Sequence, residues 1–122
     1  MDEAIRSALG VDELIDITTT GRTSGEPRRI EIWFHYIDEA VYLSSRPGKR
    51  SWNANLGASP DFTFHFKQSL VRDVAARATT VTDPTTKRDV FAKMKDAEPR
   101  MGHMDLDVWV AESPLVLVEF IS

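Results

Sequence analysis

The stretch LIDITTTGRTSGEPRRIEIWFHYI, residues 14 to 37, decides how the chain folds. Apolar side chains alternate on either side of a turn-forming centre, which is the period of a half-buried strand. On the first arm Ile15, Ile17 and Thr19 share one face and Asp16 and Thr18 the other. The three successive threonines favour extended backbone because branching at Cβ restricts χ1. On the second arm Ile30, Ile32, Phe34 and Tyr36 oppose Glu31, Trp33 and His35. Gly21, Ser24, Gly25 and Pro27 between the arms supply turn chemistry, so the stretch predicts a β-hairpin.

The pattern repeats downstream. Asp38 and Glu39 make a tight turn into VYLSS, a third strand that ends where Pro47 and Gly48 forbid regular pairing. Ser51 is placed to cap a short helix through Leu56, with Gly57 as its terminator. DFTFHFK alternates Phe62, Phe64 and Phe66 with Thr63, His65 and Lys67, and a turn near Gln68 and Ser69 leads into LVRDVAARATTV, giving a second hairpin. Asp83 followed by Pro84 is a cap and first-turn proline, and Val90, Phe91 and Met94 give the helix after it one apolar stripe. MDLDVWVAES suits either a helix capped by Asp105 or a strand, whereas LVLVEFI is rich in β-branched residues and closes the sheet. Upstream, residues 2 to 9 read as a helix ended by Gly10. Antiparallel strands, short hairpins and a few short helices indicate a mainly β (α+β) chain. A small closed β-barrel removes the unpaired edges.

Composition sets the function classes. A chain of 122 residues, 42% hydrophobic, suits one domain spanning residues 1–122. There is no Cys, so disulfides and thiolate chemistry are excluded, and three scattered His residues make a metal site unexpected. The net charge of −4 argues against nucleic-acid binding. MDEAIRSALG is charged and lacks the apolar core of a signal peptide, and no run approaches the roughly eighteen apolar residues of a membrane span. A cytoplasmic protein with no integral membrane segment is expected.

The charge is unevenly spread. No acidic residue lies between Glu39 and Asp61, while Arg46, Lys49 and Arg50 fall inside that window, and Arg22, Arg28 and Arg29 sit in or beside the preceding turn. Gly- and Ser-rich turns can aim backbone N–H groups at one point, and Arg forks match phosphate and carboxylate. Solvated surface charge is the plainer alternative. Trp52 suits a core anchor as well as a stacking partner, and Asn53 and Asn55 suit backbone capping.

TTTGRTSGEPRR (18–29), EIWF, the Ser45-Arg46-Pro47-Gly48 turn and Trp52-Asn53-Ala54-Asn55-Leu56 followed by Ala58-Ser59-Pro60 resemble the deazaflavin-dependent nitroreductase family. That family is a branch of the FMN-binding split β-barrel superfamily. The similarity runs from about residue 15 to residue 67 and continues weakly into the last strand. It implies a six-stranded split β-barrel, commonly a homodimer, that moves hydride from reduced coenzyme F-420 to a small organic acceptor such as a quinone or nitroaromatic. FMN is the second choice of cofactor. By position, Arg22, Ser24 and Arg28 fall where relatives grip the cofactor phosphate. Ser45 and Arg46 fall beside the ring system, and Trp52 and Asn55 lie in the supporting helix. Lys49 and Arg50 add positive charge, so that the two turns would act as opposite jaws on an anionic tail. Thr23 stands where the family usually has a second basic residue, and Pro47-Gly48 replaces its paired glycines.

In such chemistry the cofactor carries the reaction and the protein supplies orientation and charge. No catalytic residue is singled out: Tyr36, Tyr42, His35, His65 and water all remain open as proton donors. His35, on the face of Trp33 and Glu31, suits a pocket wall, and His65 suits a solvent-facing or interface position. A non-catalytic barrel that holds a flavin, haem or fatty acid is the alternative function.

Overall fold

A computed structural model of the protein describes residues 2–121. The elements run α1 (Glu3–Val11), β1 (Leu14–Thr20), β2 (Pro27–Ile37), β3 (Ala40–Ser44), α2 (Ser51–Ala58), β4 (Asp61–Lys67), β5 (Val71–Thr80), α3 (Pro84–Ala97), a 3₁₀ turn (Pro99–Met101), α4 (Leu106–Glu112) and β6 (Leu115–Phe120). The strands close in the order β1-β2-β3-β6-β5-β4, every pairing antiparallel. The expected split β-barrel of mainly β (α+β) class is therefore the fold.

Alternation along the strands sets the register. In the first hairpin Ile15 pairs with Ile32 and Ile17 with Ile30, and on its other side β1 sets Ile17 against Phe64. One face of every strand then points inward. Ile15, Ile17, Phe34, Leu43, Phe64, Phe66, Ala76 and Val116 fill the interior. Phe64 is its centre, with ring centroids 5.8 Å from Phe34, 4.8 Å from Phe66 and 5.0 Å from Phe120. A second core forms outside the barrel, where Val90, Phe91 and Met94 of α3 pack with Met101, Met104 and Trp109 against Ile37 and Leu115. Asp83 caps α3 as expected, and MDLDVWVAES resolves to helix α4 because the Asp105 carboxylate accepts from the Val108 amide.

Three helix limits differ from the sequence reading. Gly10 lies inside α1, which ends only where Asp12 turns extended and its carboxylate accepts from the Ser69 amide. Helix α2 is capped one residue before the expected position: Ser51 is its first residue and Arg50 the N-cap, without a side-chain bond, its carbonyl accepting from Ala54. Gly57 is also internal, and the helix stops at Ser59, whose amide donates to Asn55. Glycine is permissive rather than prohibitive in a helix, so neighbouring hydrogen bonds set both ends.

On the outer face of β1 the Asp16 carboxylate accepts from Lys67 at 2.7 Å and from Arg29 at 3.0 Å, and Lys67 also pairs with Glu31. The Lys67 ammonium, aided by Arg29, holds the Asp16 carboxyl below the usual carboxylate range against the opposing effect of burial. A carboxyl with a depressed native pKa stabilises the fold at pH values above its unfolded titration, and that contribution disappears as pH falls through the native value. The urea midpoint is expected to drop on acidification, and Asp16→Asn should lower it near neutrality while flattening part of the acid limb. An unchanged slope in Asp16→Asn would contradict the assignment.

Candidate functional site

The first basic turn is held by its own backbone. The Gly21 amide donates to the Glu26 carbonyl and the Gly25 amide to the Gly21 carbonyl, both at 2.8 Å, while Ser24 Oγ accepts from the Glu26 amide. Gly25 has φ 72°, a left-handed conformation that side chains disfavour. At Gly21 a Cβ would stand 2.7 Å from Ser24 Oγ and 3.2 Å from the Glu26 carbonyl, so a side chain there would have to displace the Ser24 hydroxyl.

Asn55 of α2 binds this turn. Its Oδ1 accepts from the Arg22 amide at 3.1 Å and from Arg22 Nη1 at 2.9 Å, and its Nδ2 donates to Thr19 Oγ1. Asn55 is 4% exposed. Arg22, Ser24, Arg28, Trp52 and Asn55, with Thr23 and Ser51, surround a cavity of about 490 Å³. Trp52 is buried in the barrel core, as a core anchor would be, and it also lines this cavity.

The second turn is anchored to the end of α4. Ser44 Oγ donates to the Pro114 carbonyl at 2.6 Å and the Gly48 amide to the Glu112 carbonyl at 3.0 Å. Arg50 folds back over Gly48 and donates to the carbonyls of Lys49 and Arg46. Ser45 and Arg46 line a smaller cavity of about 260 Å³ together with Trp33, His35, His103 and Trp109. Lys49 instead faces a cavity of about 950 Å³ shared with β5, α3 and α4.

The jaw arrangement therefore needs correction. The structure gathers Arg22, Ser24, Arg28, Trp52 and Asn55 at one cleft, but Ser45 with Arg46, and separately Lys49, open onto two others. The guanidinium of Arg50 serves its own loop. What links the turns is α2, which follows the second turn and grips the first through Asn55.

The two turns hold most of the described cations without a carboxylate partner, the others being Arg6, Lys87 and Lys95. Arg29, Lys67, Arg72, Arg77, Arg88, Lys93 and Arg100 all pair with carboxylates. Among the described residues, Arg22, Arg28, Arg46, Lys49 and Arg50 have no carboxylate within ion-pair distance. Uncompensated cations beside a cleft leave a positive potential suited to an anion. Ser45 Oγ adds a second unsatisfied group, buried and without a hydrogen-bond partner among the described residues. Buried polar atoms are seldom left so, which makes Ser45 Oγ a candidate contact for a ligand or a water.

The histidines divide. His35 does line a cavity wall and is 4% exposed, its Nδ1 lying 2.6 Å from Glu98 Oε2. His65 is not solvent-facing: it lies on the outer face, as alternation requires, but is buried between Thr18 Oγ1 and the Asp73 carboxylate, each at 2.7 Å. Its hydrogen bond holds the Asp73 carboxyl below the usual range. Tyr36 and Tyr42 pack against the two cores, and burial pushes the Tyr42 phenol upward. Glu98 and Arg100 were not singled out in the sequence. They reach His35 and Trp33 from more than sixty residues away, and no local pattern signals that contact. No group of three or more candidate metal ligands occurs among the described residues, and no helix there is long and apolar enough to cross a membrane.

A family model described as F420H(2)-dependent quinone reductase matches residues 4–112. Among solved structures, a conserved hypothetical protein from Mycobacterium tuberculosis superposes with TM-score 0.73 at 19% identity, covering 100% of this chain and 82% of that one. An F420 reductase gives TM-score 0.68 at 20% identity, with 100% and 97% covered. The heme storage protein of Vibrio cholerae gives TM-score 0.67 at 12% identity, with 99% and 90% covered. At such identities the structures show a shared fold. None of the curated proteins matches the sequence.

Proposed function

The chain belongs to the F420H(2)-dependent quinone reductase family, an oxidoreductase family that uses a deazaflavin, and from that premise we propose that it reduces a small quinone-like or nitroaromatic acceptor. The observation that carries this reading is the set of cations without carboxylate partners at the two turns, with Ser45 Oγ unpartnered at the second turn and the ring of Trp52 at the first cleft. These groups fit an anionic, planar cofactor. Arg22, Ser24 and Arg28 would hold its phosphate, Trp52 and Asn55 would support it, and Ser45 and Arg46 would lie beside its ring. A bound reduced deazaflavin supplies hydride, and the chain's own residues orient it and exclude water. The homodimer and a cytoplasmic location belong to the same proposal, the former open to light scattering.

Fluorescence titration with the oxidised deazaflavin, followed by oxidation of its reduced form with menadione, tests the reading. Arg22→Ala and Arg46→Ala are each expected to weaken binding by about 1.5–3 kcal/mol, the worth of a charged hydrogen bond, with little loss of folding. Unchanged affinity in both variants would discard the cationic grip. Tight binding without turnover would favour the ligand-holding barrel, and preference for FMN in the same titration would reassign the cofactor.

A further inference from the structure

We propose that His35, set by Glu98, is the proton donor to the acceptor in the cavity of about 260 Å³, an inference that rests on the reductase reading above. His35 sits on β2 with Nδ1 2.6 Å from Glu98 Oε2. An ionised carboxylate only accepts, so the Nδ1 proton is fixed there and Nε2 becomes the exchangeable position. Among the described residues Nε2 has no hydrogen-bond partner. Glu98 is in turn held by Arg100 Nη2 at 2.8 Å, while Arg100 pairs with Glu13 and lies 4.6 Å over the Trp33 ring. The imidazole is thus braced from behind, in the manner of a base oriented by a third group.

The cavity supplies what a carbonyl acceptor needs. Ser45 Oγ is buried there without a partner, and Trp33 and Trp109 give it apolar walls. At about 260 Å³ it lies just below the usual range of ligand cavities, suiting a compact ring rather than an extended cofactor. Hydride from the reduced deazaflavin brings two electrons and one hydrogen to a quinone. The quinone oxygen left with negative charge takes the Nε2 proton of the His35 imidazolium, so that an O–H bond forms, the N–H bond breaks and its electron pair stays on nitrogen. The products are quinol, oxidised deazaflavin and neutral imidazole, which regains a proton from water. The charged and titratable groups sharing this surrounding are Glu98, Arg100, His103 and Arg46, with Tyr42 the cross-strand neighbour on β3.

Three measurements decide the matter. In His35→Gln, deazaflavin binding should stay within about twofold of the unaltered protein, while oxidation of the bound reduced deazaflavin by menadione should slow about 100-fold. The unaltered protein should lose rate as pH rises and the donor proton is lost, and His35→Gln should show a flat profile. Finally, menadione added to cofactor-free protein should shift the His35 imidazole signals in NMR. Unaltered rate and profile in His35→Gln, or His35 signals unmoved by menadione, would overturn the proposal. Failure of the unaltered protein to bind deazaflavin would instead sink the cofactor reading. Should His35→Gln not fold, the NMR titration still decides where the acceptor sits.

Discussion

Alanine at position 64 is expected to remove about 3–5 kcal/mol of stability, the usual cost of deleting a fully buried phenylalanine ring. Phe64 has no exposed surface and touches Phe34, Phe66 and Phe120 from different directions, so no single neighbour can move to fill the void. Domains of this size hold about 5–15 kcal/mol in total, which makes this one ring a large share of the margin. Guanidinium unfolding followed by circular dichroism measures it. Val71→Ala is the control: that side chain is 83% exposed, and its loss should change stability by no more than about 0.5 kcal/mol. Equal effects of the two substitutions would mean that Phe64 is not at the centre of a packed interior.

Asn55→Ala is expected to lower both stability and cofactor affinity. The buried amide joins the first turn to α2 through three bonds, one of them from a charged guanidinium, and its removal strands the Arg22 amide and Thr19 hydroxyl without partners. A loss of about 3 kcal/mol in folding is expected, together with deazaflavin binding weaker by about tenfold or more. Asn55→Asp separates the two effects. Its carboxylate can still accept from Arg22, so stability should recover in part, whereas the new negative charge at the anion cleft should keep binding weak. Recovery of binding in Asn55→Asp would show that no anion is held there.

The barrel was legible because the strands carry period-two alternation. Phe62, Phe64 and Phe66 point one way for the same reason that Ile15 and Ile17 do, and two hairpins fix the pairing. The Asp83-Pro84 start of α3 was equally plain, since a carboxylate cap and a proline that needs no donor agree. The ends of α1 and α2 were not, because Gly10 and Gly57 permit a helix to stop without forcing it. At the candidate site, Arg22, Arg28, Trp52 and Asn55 could be grouped from two short stretches. Their division from Ser45, Arg46 and Lys49 depends on how α2 stands between the turns, which is a tertiary fact. The Glu98–His35 contact was invisible for the same reason, being made across two elements that share no local pattern.

Each strand of the closed sheet has a neighbour on either side, in the cyclic order β1-β2-β3-β6-β5-β4. The cover is uneven, however: β2 pairs with β3 only from Phe34 to Ile37 and β5 with β6 only from Ala76 to Thr80, so Arg28–Trp33 of β2 and Val71–Ala75 of β5 have a paired strand on one side only and keep main-chain groups that an extended peptide can meet.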